Sequence, residues 1–162
     1  MALDRISRRT TRLAAIAGVS ALALGAFGQA EAQSSSSSFV VMQSHRSFQG
    51  TVSALKSATS SNHMMIMGTE DQAKVLSMTG LHLAGAESFL VGNPVVGKKA
   101  FKMNPAATVV LPARISVWVD HGKTYVGYLK PSDQLKAVDP KFGMMAGKLD
   151  HAFSNIAHQA TK

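Results

Sequence analysis

Residues 63–67 combine imidazole and thioether side chains, the soft ligands that suit Cu(I). In a β-strand successive side chains point to opposite faces, so His63, Met65 and Met67 would share one face. That pattern predicts a copper site if the three side chains converge on one ion. Methionine also fills irregular protein cores, and a strand buried on both faces has the same composition. We therefore predict a buried strand with no cofactor and keep Cu(I) binding as the alternative.

A second candidate group lies on a predicted strand in which polar and apolar residues alternate. Arg114 and Trp118 would project from the face opposite Ile115. We expect Tyr128, on the neighbouring strand, to extend this face, and we add Asn93 from the turn after an earlier strand. If helices cover the opposite face, these side chains are left for a ligand or a partner. Packing across the hairpin is the alternative explanation.

The chain lacks the usual sequence signatures of catalysis. It contains no cysteine, which excludes disulfides and thiol chemistry. It also contains no serine nucleophile elbow, no His-Glu-x-x-His zinc motif, no phosphate-binding glycine loop and no calcium loop. We therefore predict no catalytic residues, and the sequence favours a non-enzymatic protein over a hydrolase or an isomerase.

The charge balance is basic, with 17 Lys and Arg residues against 9 Asp and Glu and a formal net charge of +8. The densest cationic group consists of Lys98, Lys99 and Lys102, and no long run of cations follows it. We therefore predict no nucleic-acid partner. An anionic envelope component or an acidic protein is the kind of partner that this charge suits.

Residues 1–32 have the pattern of an export signal. Arginines precede an uncharged stretch over residues 13–29, which closes on Ala30-Glu31-Ala32 with small residues at both cleavage-specifying positions. A membrane anchor is the alternative, but the stretch contains glycines and is shorter than the ~20 strongly apolar residues that a spanning helix needs. We expect cleavage after residue 32, a serine-rich spacer over residues 33–38, and a periplasmic or secreted protein without a membrane span.

The remaining residues, 39–162, are long enough for one domain, and 46% of the whole chain is hydrophobic. Apolar and polar residues alternate over residues 113–119, a turn follows at residues 120–123, and a further apolar stretch ends at Leu129. This pattern predicts a β-hairpin. Shorter strands are predicted at residues 39–42, 63–67 and 88–91.

Two helices are indicated by apolar residues at steps of three and four. Ser47 can cap the first, which ends at Asn62, and the second extends from Phe142 to Ala160 as the longest apolar stripe in the chain. A short helical turn is predicted at residues 71–78. The elements together predict an α+β fold, a mainly antiparallel sheet covered on one face by helices.

An ordered series of short motifs runs through the domain. The motifs are Phe89-Leu90-Val91-Gly92-Asn93-Pro94 with Gly97, then Pro105, Leu111-Pro112, Val117-Trp118-x-Asp120 with Gly122-Lys123, and Tyr128-x-x-Pro131-x-x-x-Leu135. Such a series is more specific than any one of its parts. It resembles the bacterial family called domain of unknown function 302.

The resemblance implies a fold similar to the TATA-binding-protein type, in which helices grasp an α+β sheet, and it implies a dimer. It also implies three polar groups that this chain replaces. The family pattern has a histidine within Asp-His-Ala, an acid before Leu-Pro and a glutamate within Trp-Glu-Asp, where this sequence has Gln72, Val110 and Val119. If the family holds a ligand or a proton with those groups, this chain lacks them.

The sequence as a whole predicts an exported, single-domain protein that binds a ligand or a partner and is not an enzyme. A periplasmic copper-binding protein that uses His63, Met65 and Met67 is the alternative function. The predicted partners are a second copy of the chain, a small ligand or an envelope protein.

Overall fold

The computed structural model describes residues 38–162, so the predicted export signal and nearly all of the predicted spacer lie outside the described residues. The strands are β1 (Phe39–Gln43), β2 (Met65–Asp71), β3 (Ala86–Gly92), β4 (Ala113–Asp120) and β5 (Lys123–Leu129). They form one sheet in the order β1-β5-β4-β3-β2, and each pair of neighbours is antiparallel. The predicted hairpin is the pair β4 and β5.

The helices of the described range are α1 (Phe48–Ser61), α2 (Gln72–Ser77), α3 (Pro94–Met103), α4 (Pro131–Val138) and α5 (Gly143–Thr161). Two 3₁₀ turns, Pro105–Val109 and Pro140–Phe142, follow α3 and α4 respectively. The predicted α+β class with a mainly antiparallel sheet is therefore confirmed.

The core lies between one face of the sheet and the helices α1 and α5, which also pack against each other. Phe89, Ile115 and Val117 of the sheet are buried there. Phe153 and Ile156 of α5 have no exposed side-chain area, so the apolar stripe of the last helix is the part that faces the sheet. Each such side chain contributes about 1.5–3 kcal/mol of hydrophobic stabilisation.

Local sequence explains why α1 begins and ends where it does. The Ser47 hydroxyl accepts a hydrogen bond from the Gly50 backbone N–H at 3.2 Å, as an N-cap does. At the other end the Asn62 backbone N–H and side-chain amide both donate to the Ala58 carbonyl. The predicted bounds of this helix agree with the structure because both caps are visible in the sequence.

Helices α3 and α4 were not predicted from the sequence. Asn93-Pro94 was predicted as a turn after β3, but Asn93 is the N-cap of α3 and Pro94 is its first residue. The Asn93 side chain can accept hydrogen bonds from free backbone N–H groups at the helix start. Proline is favourable at the first helical position because it has no N–H to lose there. Val96, Ala100 and Met103 of α3 have helical spacing, but of these three only Ala100 is fully buried. At ten and eight residues, α3 and α4 are too short to show the long periodic pattern that identified α1 and α5.

The predicted burial of the methionine-rich strand is wrong. Met64 is buried just before β2, but Met65 and Met67 are 55% and 47% exposed. The reason is topological, since β2 is an edge strand and covering helices do not enclose both of its faces. A register shift between Ile66 and Gly68 also places Met67 in a bulge. These two methionines therefore do not fill the core.

No helix within residues 38–162 is long and apolar enough to cross a membrane.

Candidate functional site

The start of α3 is fixed by a single amide side chain. The Asn93 Oδ1 accepts hydrogen bonds from the backbone N–H groups of Val95 at 2.9 Å and Val96 at 3.3 Å. Its Nδ2 donates to the His63 carbonyl at 2.9 Å. Asn93 therefore caps α3 and also ties it to the segment that precedes β2, so both polar ends of the side chain are engaged within the fold.

A cavity of about 320 Å³ opens beside α3, between the end of β3, the Leu111-Pro112 segment and α5. We call it the α3 cavity. Its lining residues are mostly apolar and come from five parts of the chain: Met67, Val91, Gly92, Asn93, Pro94, Val96, Gly97, Lys98, Phe101, Leu111, Pro112, Ala113, Leu149 and Phe153. This volume lies at the lower end of the roughly 300–1,000 Å³ found for small-molecule sites.

The polar groups of this lining are few. Asn93 contributes an amide that is already hydrogen-bonded, and Lys98 is an exposed cation at α3. The remaining side chains offer van der Waals contact and no hydrogen bonds. The α3 cavity is therefore suited to an apolar molecule of small size.

Two glycines shape the cavity in different ways. A Cβ at Gly92 would lie 3.1 Å from the Pro112 Cβ and 3.2 Å from the Met67 sulfur, so this position permits a close approach of chain segments. A Cβ at Gly97, in the interior of α3, would meet no atom within 4 Å. Gly97 therefore leaves space in the lining that almost any other residue would occupy.

The sheet face opposite α1 and α5, which we call the outer face, holds two of the predicted site residues. Arg114 forms an ion pair with Glu70 at 3.1 Å, and both side chains are about half exposed. Trp118 stacks on Tyr125 with 5.7 Å between ring centroids. It also lies over Gly127, where a Cβ would be 2.8 Å from the Trp118 ring. The contacts of Trp118 match the alternative of packing across the hairpin, whereas Arg114 pairs with a residue of β2, outside the hairpin.

Tyr128 does not extend the outer face, so its predicted position is wrong. In the register of β4 and β5, Tyr128 is opposite Ile115 while Tyr125 is opposite Trp118. Because neighbouring strands place paired residues on the same face, Tyr128 is buried under α5, where its ring meets Phe153 edge-on at 5.5 Å. The fourth predicted residue, Asn93, lines the α3 cavity instead.

Burial raises the pKa of Tyr128 above its ordinary value, because the phenolate would lose its hydration. A hydrogen bond with Ser154 opposes this effect, and the negative charge of Asp150 adds to it. The Asp150 carboxylate is held in place by accepting a hydrogen bond from the Ser132 backbone N–H at 2.9 Å. Tyr128 is therefore a buried, neutral phenol at physiological pH.

The predicted metal ligands are not aligned as expected. His63 has a φ of +57°, in the left-handed region, so it lies outside β2 and strand alternation does not place it beside Met65 and Met67. Among the described residues, no three His, Cys, Asp or Glu side chains group as metal ligands would. Met65 and Met67 are nevertheless exposed and able to contact a ligand.

These observations define a small α+β domain with a helix-covered antiparallel sheet and an apolar cavity beside a capped helix. A sequence model of the family "Domain of unknown function DUF302" matches residues 40–160. The chain belongs to this family.

Solved structures agree with this assignment at the level of fold. The crystal structure of an uncharacterized conserved DUF302 protein from Bacillus stearothermophilus matches with a TM-score of 0.71 and 16% sequence identity. The match covers 75% of this chain and 97% of that one. No curated protein matches the chain significantly in sequence.

Two of the motifs that identified the family in the sequence meet at the α3 cavity. Gly92, Asn93, Pro94 and Gly97 come from one motif and Leu111-Pro112 from another, and all of them line it. In the sequence these residues indicated turns and strand ends, and of them only Asn93 was predicted as a site residue. The others are glycines or apolar residues without titratable or metal-binding groups, so they carry no chemical signal in the sequence.

We expect Tyr128→Phe to make the stability of the protein less sensitive to alkaline pH. In the unfolded chain the tyrosine ionises near its ordinary value of about 10, whereas the folded protein keeps the proton to higher pH. The stabilising contribution is therefore complete below that pH and is lost as the pH rises through the raised pKa. The drop in Tm between about pH 9 and about pH 11 should be smaller in Tyr128→Phe than in the unmodified protein.

The matched control is Tyr125→Phe, which removes a hydroxyl from the outer face. Its alkaline drop in Tm should be larger than that of Tyr128→Phe. If Tm fell equally with rising pH in the two variants, the Tyr128 hydroxyl would have to be hydrated in the folded state.

Proposed function

We propose that this protein is a non-enzymatic binding domain that holds a small apolar molecule in the α3 cavity. The observation that carries the proposal is the lining of that cavity, which is apolar except for a capping amide and one exposed lysine. Apolar surface moved from water into such a site gains roughly 25 cal/mol per Å².

The elements around the α3 cavity support binding because they form a stable frame. The cavity wall includes Val91, Leu149 and Phe153, which are all core residues with at most 4% of their surface exposed. A site formed by ordered side chains loses little conformational entropy when a ligand enters. The engaged amide of Asn93 and the exposed amine of Lys98 do not form a pair for acid–base chemistry, and so the proposal is binding and not catalysis.

Gly97 provides the test. The probe is N-phenyl-1-naphthylamine, an uncharged apolar fluorophore whose emission rises in an apolar site. The unmodified protein should bind it saturably, and Gly97→Leu should lower its affinity by about tenfold or more, because the new side chain fills the cavity.

The matched control is Gly147→Leu. Gly147 is also an interior glycine of a helix, α5, and a Cβ there meets no atom within 4 Å. It does not line the α3 cavity. Both substitutions raise helix propensity, so a loss of binding in Gly97→Leu alone identifies the cavity. Equal binding by the two variants would refute the proposal.

Cu(I) binding at β2 is the second candidate function. The exposure of Met65 and Met67 favours Cu(I) binding, because packing in the core does not explain the presence of these two thioethers on the edge strand β2. Soft sulfur ligands suit Cu(I). Met67 also lines the α3 cavity, so a metal bound there would share its wall.

Anaerobic titration with Cu(I) distinguishes the two candidates. If the thioethers are ligands, the double variant Met65→Leu, Met67→Leu should lose a tight complex that the unmodified protein forms. The control Met78→Leu, Met144→Leu removes two other exposed methionines and should retain it. Absence of a tight complex in the unmodified protein would exclude this candidate.

We further propose that the protein acts after export, in the periplasm or outside the cell, and that it forms a pair with a second copy. The export pattern of residues 1–32 and the exposed apolar residues of the outer face, such as Val41 and Leu129, support these two proposals. Native mass spectrometry of the protein from its own host tests both. A monomer that retains residues 1–32 would contradict them.

A further inference from the structure

A second concave site lies on the other flank of α3, between that helix, the Pro140–Phe142 turn and α5. We call it the methionine–lysine groove. It has a volume of about 530 Å³, and its lining residues are Met64, Val96, Lys99, Met103, Lys141, Met144, Met145, Lys148, Leu149 and Ala152. It shares Val96 and Leu149 with the α3 cavity. The proposal made above for that cavity does not involve this groove.

The charge of the groove has a single sign. Lys99, Lys141 and Lys148 line it, and its lining includes no acidic residue. Within residues 38–162 the salt bridges join other side chains, so none of these three lysines forms one. The nearby Asp139 carboxylate, which accepts the Lys141 backbone N–H at 2.9 Å, does not line the groove. Three like charges around one concavity repel one another and attract an anion.

The apolar surface of the groove is made largely of methionine. Met64 forms a buried floor at 6% exposure, whereas Met103 and Met144 are 51% and 86% exposed. Methionine side chains are unbranched and polarizable, so they can adapt to a flexible apolar chain. The exposed thioethers and the neighbouring cations therefore offer an apolar surface and a positive charge that one amphiphilic molecule can contact together.

We propose that the methionine–lysine groove binds a single-chain anionic amphiphile, that is, an alkyl chain with a carboxylate or similar head group. The chain lies along the methionines and the head group contacts Lys99, Lys141 and Lys148. The concave shape favours one inserted chain over a flat bilayer, which is bound by protruding apolar side chains. The lining contains no aromatic side chain on which a nucleic-acid base would stack.

The experiment is isothermal titration with dodecanoate, at neutral pH and below its micelle concentration. Dodecyltrimethylammonium, which has the same chain and a positive head group, is the control ligand. Dodecanoate should bind saturably at low salt and more weakly at high salt, because salt screens exposed charges. The cationic amphiphile should bind much more weakly.

The variant Lys99→Gln, Lys141→Gln, Lys148→Gln tests the position of the head group. All three lysines are exposed, so the fold should be preserved, and dodecanoate affinity should fall by about tenfold or more as the charge-assisted contacts are lost. The control variant Lys74→Gln, Lys123→Gln, Lys162→Gln has the same net charge and exposed positions away from the groove. It should bind dodecanoate as the unmodified protein does.

Each other outcome contradicts the inference in a recognisable way. An equal loss of dodecanoate affinity in both triple variants would show that the net charge of the protein alone attracts the ligand. Equal affinities for dodecanoate and dodecyltrimethylammonium would show that alkyl chains adsorb to the protein whatever the charge of the head group. If Gly97→Leu removes dodecanoate binding and the groove variant does not, the ligand occupies the α3 cavity. Binding to phosphatidylglycerol vesicles without binding to free dodecanoate would identify a membrane surface as the ligand. Failure of the uncharged fluorophore to bind, with dodecanoate still bound at the groove, would refute only the function proposed for the cavity.

Discussion

The packing of α5 against the sheet is the interaction on which the other features depend. Phe153 and Ile156 bury the apolar stripe of this helix, and the side chains that flank the stripe form parts of each concave site. Leu149 lines both the α3 cavity and the methionine–lysine groove, and Asp150 accepts the backbone N–H of Ser132 at the start of α4. A change in the position of α5 would therefore alter both sites and the cap of α4 together.

The position of α3 explains why apolar space exists on both of its flanks. A helix of ten residues that buried a full stripe would fill the gap between β3 and α5 with side chains. Instead α3 has a single fully buried residue, Ala100, and its start is determined by the Asn93 cap. The cap fixes where the helix begins without filling the space beside it. Hydrogen bonding at one end and sparse packing along the axis together produce the cavity and the groove.

The fold could be predicted from the sequence wherever a local signal and a tertiary contact agree. The capping residue Ser47 and the apolar stripe that follows it predicted α1 correctly. The alternation of polar and apolar residues before the turn at residue 120 predicted the hairpin correctly. The candidate site could not be predicted in the same way. Tyr128 was assigned to the wrong face because the register of the hairpin decides it, and the burial of Met65 depends on strand order, which local pattern does not contain. The cavity combines apolar residues that are distant in sequence, and none of them has a chemical signature.

Gly97 has a consequence for motion. An interior glycine lowers helix stability by about 1 kcal/mol relative to alanine, and α3 has little core packing to offset that loss. Local opening of α3 is therefore expected to cost less free energy than opening of α1 or α5, which pack against each other and on the sheet. The backbone amides of α3 should accordingly exchange their hydrogens faster than those of α1 and α5. Because α3 forms one wall of the α3 cavity, each such opening would also widen the entrance to that cavity.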